Sequence, residues 1–571
     1  MEEVFQRFPH IGEKITDQLD NADLTDCRMV NPFWKSCIDS QKVVWMRMIY
    51  RWLVVDPEWQ NIYKSLNVEM VKILATGVHQ FYTKDSDELY QGRNREENLV
   101  AKTPLEIAAI IGSTEIVAKL FKKEVFENQG SSENKHGLPF HCAAEYGSFD
   151  VCKFFIENIE DKNPNNMNEM TPLHFAARRG HFRICRLILE VIDDKNPYTS
   201  DEIGGYTPLH EAAENNHLSI CRLIIKSVSD KNPRDEFGST PLHFASENGH
   251  LAVCLYILTN VKDQEDISPK DGNGKTPLHL AVEKGHNEIC RLIIEYADEK
   301  NPSGQIGTTT LHDAAYRGNL EICQLMMENI DRELPQDDNG FTPLDSAADT
   351  GQLNAFILIF KHVKEENPSA EIGFDSFHLA IQGGHIELCK FMIDNGFQLN
   401  PRDNGGDTLL HLAAEFGHLD IFKMILETVN EIDPSNIVSR YTPLHKAAKS
   451  GHLEICKFIL ENNGDPNKTN TDGGRPIHLA AEFGHLEIFK FIFDKVGEYA
   501  DEYGDSPLHY AAQSGHLKMC KFILDNMQDQ NRKSSDGKTP LEFATEMGHE
   551  EVCKLLKIYL PIDLSKRRRL Q

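Results

Sequence analysis

Only four tryptophans occur in 571 residues, Trp34, Trp45, Trp52 and Trp59, and none lies in the long remainder of the chain. No apolar run reaches 18 residues, so no membrane span is expected. The opening Met1-Glu2-Glu3 has neither the basic nor the apolar part of a signal peptide. Positive charge is scarce: 60 Lys and Arg against 88 Asp and Glu leave a formal charge of -28. Nucleic acid and anionic lipid both require a basic surface, so neither is an expected partner. The thirteen cysteines do not suggest a disulfide framework. Ten of them return at one position: Cys152, Cys185, Cys221, Cys254, Cys290, Cys323, Cys389, Cys456, Cys520 and Cys553. A layer of this kind reads as reduced thiols, in the cytoplasm or the nucleus. A glycine-rich phosphate loop, a Gly-x-Ser-x-Gly elbow and a His-Glu-x-x-His pair are all missing. Neither an enzyme active site nor a cofactor is therefore expected.

What the chain has instead is repetition. The stretch Thr171-Pro172-Leu173-His174-Phe175-Ala176-Ala177-Arg178-Arg179-Gly180-His181 returns almost word for word from positions 240, 276 and 442. Thr171 suits an N-cap, and Pro172 suits the first helical position, where its missing N–H costs nothing. Leu173, Ala176 and Ala177 make an apolar face. Gly180 suits a stop at positive φ. After His181, Ile184, Leu187 and Ile188 follow the 3.6-residue period of a second helix. The unit is a helical hairpin with one apolar side, too small to bury that side alone. Counted from the Thr position, copies begin at 103, 138, 171, 207, 240, 276, 309, 342, 375, 408, 442, 475, 506 and 539.

This pattern resembles the ankyrin repeat, with its T-P-L-H-x-A signature and period near 33. The resemblance implies an all-α solenoid of about fourteen helix–turn–helix units with β-turn fingers, covering residues 101–560. The extra residues at 201–206 and 264–275 are expected to lengthen two fingers, and the finger at 498–505 is expected to be trimmed. The recurring Asp-Lys-Asn-Pro at 161–164, 194–197 and 230–233 is expected to close each second helix.

Residues 1–55 differ. Phe8-Pro9, Ile11, Ile15, Leu19, Asp23-Leu24, Val30, Trp34 and Trp45 follow the order of an F-box, which this segment resembles. Phe8 stands where that family has Leu, and Pro32 falls where it keeps helix. The resemblance implies docking on a Skp-type adaptor of a cullin–RING complex through Pro9, Ile11, Ile15, Leu19, Leu24, Val30 and Trp34. A plain helical cap would show similar spacings. Residues 56–100 read as helical cap and linker, and 561–571 as a basic tail. Its Lys566-Arg567-Arg568-Arg569 suits nuclear import or a solvated terminus equally.

His-x-x-x-Cys recurs one helical turn apart, as in His181/Cys185, and could suggest zinc. Phe422 and Phe489 replace the Cys in two copies, however, so packing is the expected role. Twenty-one of 25 histidines occupy two frame positions. Binding residues are expected where the frame does not dictate identity, in the two positions after Ala-Ala and at the finger tips. There the resemblance implies a groove for an unidentified target protein, with Arg178, Arg179, Tyr316, Arg317, Phe416 and Phe483 as its contacts. The combined reading is a substrate receptor of an SCF-type ubiquitin ligase. The alternative is an ankyrin-repeat scaffold with no link to ubiquitin.

Overall fold

The computed structural model describes residues 70–71, 104–121 and 139–559, without 201, 262–268, 330–333, 368–373, 400–401, 404, 430, 498–500, 502 and 527–531. The expected adaptor-docking residues, the cap and linker apart from Met70 and Val71, and the basic tail lie outside the described residues. The chain divides into two compact units, residues 1–305 and 306–571.

Among the described residues there are 28 α-helices in fourteen hairpins and no β-strand. The first unit holds α1 (Pro104–Ile111), α2 (Thr114–Leu120), α3 (Pro139–Glu145), α4 (Phe149–Asn158), α5 (Pro172–Arg178), α6 (Phe182–Leu189), α7 (Pro208–Glu214), α8 (Leu218–Ile225), α9 (Pro241–Glu247), α10 (Leu251–Val261), α11 (Pro277–Lys284) and α12 (Asn287–Tyr296). The second holds α13 (Thr310–Arg317), α14 (Leu320–Met327), α15 (Pro343–Asp349), α16 (Leu353–Glu366), α17 (Phe374–Gln382), α18 (Ile386–Asp394), α19 (Leu409–Phe416), α20 (Leu419–Leu426), α21 (Pro443–Ser450), α22 (Leu453–Glu461), α23 (Pro476–Glu482), α24 (Leu486–Val496), α25 (Pro507–Gln513), α26 (Leu517–Asn526), α27 (Pro540–Glu546) and α28 (Glu550–Tyr559). Odd-numbered helices are the first of each hairpin, even-numbered the second.

Within each unit, every first helix packs on its own second helix and on the first helices of its neighbours. The signature alanines allow this close approach: Ala176, Ala177, Ala212 and Ala213 are fully buried. Seven- or eight-residue helices are marginal alone, so their stability comes from this stacking.

The Asp-Lys-Asn-Pro segments do more than close a helix. Asp194 Oδ1 accepts from the Asn196 N–H at 3.0 Å, a local turn. Lys195 Nζ donates to the carbonyls of Leu189 and Ile192 at the end of α6. Asn196 Oδ1 accepts from the Leu209 N–H at 3.0 Å, in the first turn of α7. One motif therefore satisfies orphan carbonyls of one repeat and an orphan amide of the next. Lys162 and Asn163 repeat the arrangement between α4 and α5.

The second layer of the second unit alternates. Phe356, Phe422 and Phe489 occupy the usual Cys position in every other repeat and are fully buried. Each meets, edge to face, a Phe of the next second helix: Phe391 at 6.2 Å, Phe458 at 6.1 Å and Phe522 at 6.0 Å between centroids. The intervening repeats keep Cys389, Cys456 and Cys520.

The finger expectations have different outcomes. A longer finger does occur at 199–206, closed by Thr199 N–H to Tyr206 O at 2.8 Å. The tip at 271–275 is of ordinary length, closed by Asp271 N–H to Lys275 O, so its extra residues precede Asp271. The expectation for 498–505 falls partly outside the described residues, and its tip closes through Asp501 N–H to Asp505 O at 2.9 Å.

Candidate partner-binding surface

The frame accounts for most of the polar chemistry. His174 Nδ1 accepts from the Thr171 N–H at 3.0 Å, and its Nε2 lies 3.2 Å from Tyr206 O in the next repeat. An Nδ1 that accepts from an amide leaves the proton on Nε2, which then donates to the carbonyl. His210 reaches Ser239 O and His243 reaches Lys275 O in the same way. In the second unit His312, His411, His445 and His509 do likewise. Burial pushes His174, His243 and His445 down to about 4 and His210 to about 3, so these rings are neutral. The expected cap takes the form of a capping box, in which the Thr171 side chain faces the His174 N–H, His174 accepts from the Thr171 N–H, and the Thr171 hydroxyl sits 3.0 Å from His174 Nδ1. Thr207 and Thr442 accept from the His210 and His445 N–H at 3.5 and 3.4 Å. Where His is replaced, a carboxylate does its work. Asp345 Oδ2 accepts from both Thr342 N–H and hydroxyl at 2.7 Å, and Ser376 Oγ donates to Oδ1.

The second histidine series points the other way along the stack. His217 Nε2 donates to Arg178 O at 3.0 Å, and His452 Nε2 to Glu415 O at 2.9 Å. The ring covers the turn glycine of the preceding repeat. A Cβ on Gly180 would lie 2.6 Å from His217. Glycine is thus required twice, for φ +79 and for this contact. The cysteine partners are buried thiols: desolvation pushes Cys221, Cys254, Cys323, Cys389 and Cys520 up to about 12. Ring and thiol of each His-x-x-x-Cys pair are therefore committed to packing and backbone bonds. Among the described residues no three His, Cys, Asp or Glu side chains are placed to hold a metal.

The expected groove residues fare differently. Arg178 is bound through two guanidinium nitrogens to the buried Glu211 of the next repeat, Nε–Oε2 being 2.7 Å. Arg179 Nη2 pairs with Glu145 of the preceding repeat at 2.8 Å. Both arginines cross-link repeats of the first unit, a use that their variable position gave no sign of. In the second unit Tyr316 is 50% exposed, Phe416 39% and Phe483 43%, and Arg317 is exposed. Lys449 Nζ lies 5.4 Å from the Phe483 ring centroid. Arg317, Phe416 and Phe483 occupy corresponding places at or just beyond the C-terminal ends of α13, α19 and α23, with Tyr316 one residue earlier.

The family described as ankyrin repeats (3 copies) matches the chain over residues 63–166, 140–235, 224–303, 298–372, 359–437, 429–501 and 496–567. The chain belongs to the ankyrin-repeat family. No curated protein matches it. Ankyrin repeats are protein–protein interaction modules. No helix among the described residues is long and apolar enough to cross a membrane. The alternating Phe layer and the lysine caps were missed from the sequence. Phe356 and the Phe at 391, 458 and 522, two residues beyond each intervening Cys, were the available signal.

Proposed function

We propose that this ankyrin-repeat protein is the substrate receptor of a cullin–RING ubiquitin ligase. Residues 1–55 act as an F-box-like module on a Skp-type adaptor, 56–100 link and cap, 101–560 hold the target, and 561–571 form a basic tail. The chain works in the cytoplasm or nucleus and carries out no chemistry itself; it brings a bound target to ubiquitin-transferring subunits. Pro9, Ile11, Ile15, Leu19, Leu24, Val30 and Trp34 form or support the adaptor contact. Tyr316, Arg317, Phe416 and Phe483 contact the target, with Arg178 and Arg179 shaping the groove through their ion pairs.

The observation that carries the target-binding half is the contrast between dictated and undictated positions. The histidines, alanines, glycines and cysteines are committed within the stack, whereas large aromatics stand exposed where the fold requires none. The adaptor half rests on the order of Pro9 to Trp34. Its test is co-purification with a Skp-type adaptor. The wild-type chain is expected to retain the adaptor, and Pro9→Ala with Leu24→Ala to lose it. An adaptor that never co-purifies, or that ignores both substitutions, leaves the ligase-independent scaffold as the function.

A further inference from the structure

One fingertip combines several departures from the prevailing pattern. The interval from Thr408 to Thr442 is 34 residues, one more than the prevailing 33. The extra residue lies at the tip, where Asn436 N–H bonds to Tyr441 O at 2.7 Å; the tip at Asp235 closes on Ser239, a residue sooner. Ile437 and Val438 occupy this tip and are 70% and 65% exposed. Stiff β-branched side chains are poor turn formers, and nothing in the frame requires them here. Arg440 follows with φ +56, where several other tips place glycines such as Gly473 at +71 or Gly504 at +80, and the tip at 166–170 places Glu169 at +57. The left-handed region is unfavourable for a side chain with a Cβ. The exposed Arg440 guanidinium makes no hydrogen bond or ion pair among the described residues.

The tip is nonetheless fixed in place. Asn436 Oδ1 accepts from Val438 and Ser439 N–H at 2.7 and 2.8 Å. Asn436 Nδ2 donates to Gly405 O on the preceding finger, and Thr471 N–H on the next donates to Ser439 O. Ile437 lies against Gly406, where a Cβ would come within 2.8 Å of its Cγ1. Arg402, exposed on the same edge, donates Nη1 to Ser435 O at 3.0 Å and pairs with no carboxylate. A rigid edge therefore presents two bare aliphatics beside two cations that no carboxylate among the described residues pairs with, on a chain of charge -28.

We infer that the 436–441 fingertip is a docking point for a partner segment carrying an apolar side chain next to a carboxylate. The apolar group covers Ile437 and Val438, and the carboxylate pairs with Arg440 and Arg402. The fork of an arginine suits a carboxylate, and desolvation by the neighbouring aliphatics strengthens the pair. A second copy of this chain is disfavoured as occupant, because molecules of this net charge repel one another. The inference rests on the target-binding reading above and specifies the chemistry of that target.

The test is selection of peptides from a random 16-residue display library on the full chain. Selected peptides are expected to share an Asp or Glu beside Leu, Ile, Val or Phe. Ile437→Ser with Val438→Ser, and separately Arg440→Gly, should weaken them tenfold or more. Arg440→Gly should also raise the melting temperature, because glycine relieves the positive φ, which separates lost binding from lost folding. Peptides that are basic or featureless, or that ignore both fingertip variants, overturn the inference. If such peptides are still lost with Phe416→Ala and Phe483→Ala, the target-binding reading survives that failure. A dimer in sedimentation that Ile437→Ser with Val438→Ser dissolves also overturns it, since the occupant is then a second copy. Selection of no peptide overturns it as well.

Discussion

A buried imidazole that accepts an amide proton on Nδ1 and donates from Nε2 works only when neutral, because protonation of Nδ1 sets two donors against each other. His174, His210, His243 and His445 hold this state with folded values of about 4, 3, 4 and 4, below the ordinary 6.5. His312, His411 and His509 are lowered in the same direction by burial. Between these values and 6.5 the unfolded chain binds more protons, so stability is full above pH 6.5 and is lost as pH falls below it. Asp433 and Asp505, raised to about 6 by burial, and Asp235 and Glu482, raised in the same direction, work in the opposite sense but are four against seven among the described residues. Thermal melts should show a falling midpoint from pH 7 to pH 5; a flat profile over that range would contradict the neutral-histidine account. Glycine gives a second residue-scale test. Gly417 and Gly340 share φ +85, but only at Gly417 would a Cβ strike a neighbour, His452 Nδ1 at 2.4 Å. Gly340→Ala should cost about 1–2 kcal/mol for the backbone alone. Gly417→Ala should cost about 1 kcal/mol more, as the His452 bond to Glu415 O is displaced. Equal losses in urea melts would remove the inter-repeat role assigned to that ring.

At the scale of the element, the second layer of helices is built in pairs. Phe422 of α20 is fully buried and packs edge to face on Phe458 of α22. Phe422→Ala should therefore lower stability by about 3–5 kcal/mol, as a large aromatic leaving a cavity does; a loss under about 1 kcal/mol by denaturant unfolding would mean that the helices close the gap. Asn196→Ala should cost about 1 kcal/mol by freeing the Leu209 amide in the first turn of α7, and an unchanged unfolding midpoint would show that water serves as well. The hairpins were legible in the sequence because Thr, Pro, Ala-Ala and Gly each mark a local backbone event that hardly depends on neighbours. The links between repeats were harder to read. Lys195 looks like any turn lysine until the end of α6 lies beside it, and Arg178 looks like a free groove residue until Glu211 of the next repeat is placed opposite. Residues whose role is set across a repeat boundary carry no local signature. Phe422 and Phe489 were read only as an argument against metal, because their partners lie one repeat further along.

At the scale of the whole molecule, repeated near-identical hairpins share no single central core, and within each unit stability is shared between nearest neighbours. Such a design separates the residues that hold the fold from those that meet a partner, and the second set can change freely while the first stays fixed. This separation is the central claim, and affinity purification with mass spectrometry tests it most directly. The full wild-type chain is compared with a Tyr316→Ala, Phe416→Ala, Phe483→Ala variant of unchanged melting temperature. The account predicts that protein partners held by the wild type, other than a Skp-type adaptor, are lost from the variant. An identical set of partners on both would contradict it.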